Sequence, residues 1–369
     1  MAAAMCRHPV KLGFIEEDTD LSLLKSQFFP SKIGGKPSWL SLEPVLGGED
    51  LKCQKCSDPC IFLMQVYAPL AMRDDTFHRT IFVFVCSNAS CSSQGDNSNF
   101  RVFRSQLPLI NNFYSKDPPP ESIDEGTDVD SFPSADKFQT LCHVCGCKGT
   151  KKCSQCRKLH YCCKAHQVID WKAGHKKLCQ CAENGSTDEP GANYSAGILF
   201  KEFELVTEDE HVSEADCNNS KSEEECLQEF EQMKMLAETE EVEDSFATAD
   251  LEQSAAAETE DDKQFQKFKR RIDPEPMQVL RYDRGGEPLW VSAFHKATKE
   301  NVPNCSCGAA RIFEFQVMPQ LLNYLNVDHL DASLDWGTLC IYTCQESCNP
   351  GNLYLEEFLW KQDFQNPGH

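Results

Sequence analysis

Eight metal ligands fall at regular spacing between Cys142 and Cys179, and they constrain this stretch more than any other feature of the chain. They come as four pairs: Cys142-x2-Cys145, Cys153-x2-Cys156, Cys162-x3-His166 and His175-x3-Cys179. Each pair can bite one ion from a single turn, and four pairs complete two tetrahedral sites. Zn²⁺ in a structural site takes four S and N donors and keeps no position open for water or substrate. A stretch this short buries no core of its own, so metal binding supplies most of its folding free energy.

Two groupings of the eight are open. In a sequential one, Cys142, Cys145, Cys153 and Cys156 share an ion and the other four share the second. In an interleaved one, Cys142, Cys145, Cys162 and His166 hold zinc 1, while Cys153, Cys156, His175 and Cys179 hold zinc 2. Interleaving gives each ion three thiolates and one imidazole, about −1 per centre, whereas the sequential split sets about −2 beside a neutral site. The even distribution favours interleaving. Cys147, Cys163, Cys181, His143 and His160 stand nearby as spare donors, and Cys60, Cys217, Cys226 and Cys340 receive no role.

Twenty-two cysteines in 369 residues suit a secreted disulfide scaffold or an intracellular metal protein. The start MAAAMCRHPVKLGFIEEDTD has no apolar signal core, and no run of 18 apolar residues occurs. The expectation is therefore a protein of the reducing cytoplasm and nucleus with no membrane span. The formal charge of −22 belongs to one segment: residues 182–262 hold 26 Asp and Glu against three Lys, a net of −23, leaving about +1 elsewhere. Few aromatics and several Ser and Thr there predict a disordered acidic linker, with a transient helix at Glu223–Ala237.

Residues 1–120 read as mostly β, because Ile61–Tyr67 and Thr80–Val85 are rich in Ile, Phe and Val between Pro and Gly breaks. Residues 117–136 read as a linker, and β-like composition returns over 263–369. The two β-like regions repeat one another. GGKPSWLS at Gly34–Ser41 matches GGEPLWVS at Gly285–Ser292 in five of eight positions. Phe62–Val66 (FLMQV) is answered by Phe313–Val317 (FEFQV), and Thr80-x5-Cys86-x4-Cys91 by Thr338-x5-Cys344-x3-Cys348. The predicted fold class is α+β and β-rich: a pseudo-symmetric duplicated β body, with the zinc finger at 142–179 and the acidic linker inserted. A β half-unit gains by pairing with its copy, which covers open edges and joins the cores. Two separate beads on one string are the alternative.

The repeat also suggests more metal. Cys53, Cys56, Cys86 and Cys91 form two pairs about 30 residues apart, a ribbon-like spacing for zinc 3. Their copies Cys305, Cys307, Cys344 and Cys348 offer zinc 4, although Cys-x-Cys is a tighter bite than one ion usually receives. Small buried hydrophobes are the other reading of all eight.

The eight finger ligands, Tyr161 before Cys162, and the run His166-Gln-Val-Ile-Asp-Trp-Lys-Ala-Gly-His175 resemble a MYND zinc finger. His166 stands where many members carry Cys. The resemblance implies interleaved zincs and a shallow groove that takes short Pro- and Leu-containing peptides at positions matching Gln167 and Trp171. Those two are four apart and share one helix face; a Trp there gives an apolar wall with a polar edge, or simply packs the mini-core. Over nearly the full chain, Gly13-Phe14, GGxPxW, Gln65-Val-Tyr-Ala-Pro69, Phe77-His-Arg and Asp335-Trp-Gly-Thr338 resemble the programmed cell death protein 2 family. That resemblance implies a chaperone of one small-subunit ribosomal protein during 40S assembly, alongside labels of apoptosis, cell proliferation and nuclear corepressor association.

A ribosomal-protein client is strongly basic, and a flexible acidic linker can pair with its Lys and Arg tails; a solvated spacer is the plainer reading. The runner-up function is a nuclear transcriptional adaptor that binds corepressors through the finger. The finger carries nine Lys and Arg against Asp170, about +6 once its thiolates and zincs are included, which allows weak nucleic-acid contact. Neighbouring acid competes for that surface. No GxSxG, P-loop, HExxH or methyltransferase cofactor motif occurs, so no catalysis is expected.

Overall fold

The computed structural model describes residues 9–183, 197–211 and 259–364, apart from 71, 121, 124–127, 326, 328–333 and 352. The N-terminal half gives strands β1 (Lys11–Glu16), β2 (Lys32–Ile33), β3 (Ile61–Tyr67), β4 (His78–Val85) and β5 (Phe100–Leu107). The finger adds β6 (Lys151–Lys152), β7 (His160–Tyr161) and helices α1 (Lys164–Asp170) and α2 (Lys176–Glu183). Then come β8 (Phe203–Asp209), helix α3 (Glu260–Ile272), β9 (Leu280–Tyr282), β10 (Arg311–Val317), β11 (Thr338–Cys344) and β12 (Leu355–Gln362). All strands except β6 and β7 form one closed antiparallel barrel, ordered β1-β8-β2-β3-β4-β5-β12-β11-β10-β9, with β9 returning to β1. The two halves are thus one body, and closure gives each described barrel strand a neighbour on both sides.

Why the apolar runs do not alternate is clear at β4, where every residue is buried. Ile81, Val83 and Val85 share the barrel core with Phe315, Val317, Leu339 and Ile341 of the other half. Phe82 and Phe84 belong to a second cluster with Trp39, Phe62, Phe103 and the finger cysteines. The C-terminal half repeats this layering, with Phe313, Cys340 and Tyr342 packed beside Trp290, Phe358 and Trp360.

The duplication is visible bond by bond. Gln65 on β3 accepts from the Ser38 N–H (2.9 Å) and donates to the Ser38 carbonyl (3.2 Å). Gln316 on β10 does the same to Leu289, at 2.6 and 3.0 Å. Ser38 and Leu289 occupy the same place in the two GGxPxW elements. Both strands also shift register at equivalent points, between Phe62 and Met64 and between Phe313 and Phe315. Such a bulge lets two consecutive side chains enter one core, as Leu63 and Met64 do.

At the equivalent bulge the C-terminal half places Glu314, which ties the halves electrostatically. Arg79 on β4 donates to both its oxygens (2.7 and 3.0 Å), and Tyr282, Thr343 and Arg284 donate at 2.7, 2.5 and 3.1 Å. Burial pushes the Glu314 carboxyl up, but Arg79, Arg284 and Thr343 together outweigh burial and hold it down at about 2. A second buried pair joins Arg104 on β5 to Glu357 on β12 at 2.6 Å, with Arg311 on the other oxygen at 2.8 Å.

The structure corrects one boundary. Composition predicts a disordered linker throughout 182–262, yet Phe203–Asp209 is β8, inserted between β1 and β2. Phe203 and Leu205 are buried and alternate with more exposed residues, a strand period hidden under the acid count. The acids are absorbed locally: Glu202 pairs with buried Lys32, Asp209 with Lys11, and Glu210 with Arg271 and Arg281. At the far end, Thr259 and Asp262 form a capping box that starts α3. The transient helix expected at Glu223–Ala237 lies outside the described residues.

Removing Arg79 leaves Glu314 buried with its strongest partner gone. Arg79→Met is expected to cost about 3–5 kcal/mol in urea unfolding, whereas Lys11→Met, which breaks a half-exposed pair, should change little.

Candidate metal centres

The sixteen ligand positions read from the sequence fall into four groups of four, and within each group the donor atoms lie within 4.8 Å of one another. In the finger the grouping is the interleaved one: Cys142, Cys145, Cys162, His166, and Cys153, Cys156, His175, Cys179. Cys145 and Cys162 sulfurs are 3.7 Å apart, and His166 Nδ1 lies 3.1 Å from Cys162. In the second group Cys153 and Cys179 are 3.9 Å apart, and His175 Nε2 is 3.3 Å from Cys153. The barrel contributes Cys53, Cys56, Cys86, Cys91 and Cys305, Cys307, Cys344, Cys348, with sulfur separations of 3.5 and 3.6 Å. A tetrahedral Zn–S shell of about 2.3 Å sets sulfurs about 3.8 Å apart, so all four donor sets fit Zn²⁺.

One local turn builds four of the ligand pairs. Ser57, Gly146, Arg157 and Gly308 follow the second cysteine with φ of 64°, 72°, 56° and 90°. Each returns its N–H to the carbonyl of the first cysteine, at 2.8–3.1 Å. Gly308 makes that bond one residue sooner, in a left-handed conformation glycine adopts freely. This is how Cys305-x-Cys307, a tight bite on sequence grounds, turns both sulfurs to one point.

The helical ligands are placed differently. Cys163, a spare donor in the sequence, caps α1 by accepting the His166 N–H at 3.3 Å. After α1 the backbone widens into a π turn over Trp171–His175, which re-aims His175 toward Cys153. Asp170 is buried beneath and accepts the Tyr161 hydroxyl at 2.6 Å. Cys147, His143 and His160 stand outside the four groups, and the side chain of Cys181 lies outside the description. Cys60 is buried near the Asn99 carbonyl, and burial pushes its thiol up to about 12.

Sequence reasoning missed what seats the finger. Trp39 donates its indole N–H to the Gly146 carbonyl at 2.8 Å, Lys36 donates to His143 at 2.7 Å, and the Lys148 N–H to Leu46 at 2.8 Å. Trp39 belongs to the repeated GGxPxW element, so repetition masked its second job. Gln167 and Trp171 lie one turn apart and partly buried; Trp171 meets His175 edge-on at 5.6 Å, and Val168 beside them is 41% exposed. A cleft of about 1010 Å³ opens between finger and N-terminal half, lined by Leu21, Lys25, Lys36, Phe132, Phe138 and Lys137 among others.

Comparison with known proteins matches residues 9–121 to "Programmed cell death protein 2, N-terminal domain", 142–179 to "MYND finger", and 262–363 to "Programmed cell death protein 2, C-terminal putative domain". Programmed cell death protein 2 of Bos taurus is 45% identical over 96% of this chain and 96% of its own. The chain belongs to the programmed cell death protein 2 family. Within the family's wider reach, a Homo sapiens protein, programmed cell death protein 2-like, is 30% identical over 89% of this chain and 88% of its own. A Schizosaccharomyces pombe relative, "Probable 20S rRNA accumulation protein 4", is 26% identical over 88% of this chain and 89% of its own. No solved structure matches. No helix among the described residues is long and apolar enough to cross a membrane.

With all four centres loaded, the sixteen donors are fourteen Cys and two His. X-ray absorption at the zinc edge should then average about 3.5 sulfur and 0.5 nitrogen per ion, with about four ions by elemental analysis. A finger loaded alone would instead give two ions with three sulfurs and one nitrogen each.

Proposed function

We propose that this protein is a zinc-dependent client-binding protein that escorts a basic small-subunit ribosomal protein during 40S assembly, with the MYND finger as a peptide adaptor. The observation that carries the reading is the full-length similarity to a protein named for 20S rRNA accumulation, which involves the barrel and not the finger alone. In this reading the zincs are structural, since each group already supplies four protein donors. The protein works in cytoplasm and nucleus and performs no catalysis.

The acid that faces a client is smaller than the segment total suggests. Glu202, Glu204, Asp209, Glu210, Asp261 and Asp262 are engaged within the fold. Residues 212–258 still hold 15 Asp and Glu against two Lys, a net of −13. That charge is enough to attract Lys- and Arg-rich chain over long reach at low salt. The cleft beside the finger sets Lys25, Lys32, Lys36 and Lys137 against Asp136 and Glu202, so it stays net basic and a basic client gains little there.

A second reading rests on Val168 on α1 and Trp171 just after it, which present apolar surface: the finger recruits Pro- and Leu-containing corepressor segments in the nucleus. The two readings separate in one affinity purification with mass spectrometry. The first expects Trp171→Ala to retain a basic ribosomal protein and Arg79→Met to lose it. Loss of the dominant partner on Trp171→Ala would instead support the second.

A further inference from the structure

The β5–β12 seam, one of two direct seams between the halves, is thin. β5 and β12 pair over three residues, Arg104 with Leu355, Phe103 with Glu356 and Val102 with Glu357, while β4 and β5 pair over eight. Past each end of those three pairs lies a loop that carries, or directly follows, the last ligands of a barrel metal group.

At one end is the Cys344–Cys348 loop, and the N-terminal half holds it. Arg104 donates to the Cys348 carbonyl at 3.1 Å and lies 3.8 Å from the Cys348 sulfur. Gln106 donates to the Ser347 carbonyl at 3.1 Å, Arg73 to the Glu346 carbonyl at 2.5 Å, and Asn349 reaches back to the Asp75 carbonyl at 3.1 Å. At the other end is the loop after Cys91, and the C-terminal half holds that one. Lys361 donates to the Ser93 carbonyl at 3.0 Å, Asp363 accepts the Gly95 N–H at 2.6 Å, and Asn97 donates to the Leu359 carbonyl. The arrangement is reciprocal: each seam strand follows one metal loop and grips the other.

Carbonyls on an irregular loop are usable partners only while the loop keeps its shape. Four thiolates around one Zn²⁺ fix such a loop, because the binding free energy of a structural ion is folding free energy. We infer that the two barrel groups are Zn²⁺ staples across the seam, each ion fastening the half that does not ligate it. Linkage runs both ways. Arg104 and Lys361 act as outer-shell supports that help retain a metal bound on the opposite half, as outer-shell partners of metal sites do.

The test uses the full-length protein. Lys361→Met keeps all sixteen ligands and removes one grip on the loop after Cys91. Released zinc is followed with a chromophoric chelator, and amide exchange by mass spectrometry. Wild type is expected to carry four Zn²⁺, and Lys361→Met to release one of them on the order of 10-fold faster. Cys348→Ser should lose one ion and raise exchange across the seam, in residues 102–107. Two Zn²⁺ in the wild type, unchanged release from Lys361→Met, or faster exchange confined to 338–362 after Cys348→Ser would each overturn the inference. Should Cys348→Ser fail to fold, Lys361→Met decides the matter.

Discussion

Each half of this chain makes a curved sheet whose inner face is apolar, and that face can be dried only against the other half. Ile81, Val83 and Val85 meet Phe315, Val317, Leu339 and Ile341 in one core, so burial of apolar surface is the main term holding the halves together. The polar groups inside follow from that closure. Glu314 is tolerable in such a core because Arg79 arrives from the opposite half with two hydrogen bonds. A buried pair of this kind adds little net stability over an apolar pair, yet breaking it is costly. Its contribution is to specify which strands meet.

The finger depends on the same body. Its fold comes from two ions, but its position comes from Trp39, whose ring packs on Phe82 of β4 and whose N–H holds Gly146. The N-terminal half therefore has a covered outer face, and the C-terminal half covers its own with Trp290, Phe358 and Trp360. One ancestral plan thus serves two purposes: a docking platform on one side and a self-closed surface on the other.

Much of this was legible in the sequence because the chemistry is local. Ligands paired at spacings from one to four residues can turn toward one point, so all sixteen donors could be named. The interleaved grouping of the finger pairs was favoured by charge and by the MYND resemblance, not fixed by spacing. Repeated landmarks such as GGxPxW gave the duplication for the same reason. β8 was not legible: its alternation spans only Phe203 and Leu205, inside a stretch dominated by charge that a composition count averages away. The interior pairs of Arg79 and Arg104 were also invisible, since each partner lies more than 200 residues away. Single-residue polarity offers no hint that such a charge turns inward, and only barrel closure brings the two together.

The two repeats form one cooperative barrel. Hydrogen exchange measured across a urea series tests it most directly, comparing amides of β4 with amides of β11. Both strands should lose protection at one midpoint, because each loses half its core when the other opens. Two separate midpoints, with one half protected while the other exchanges freely, would contradict it.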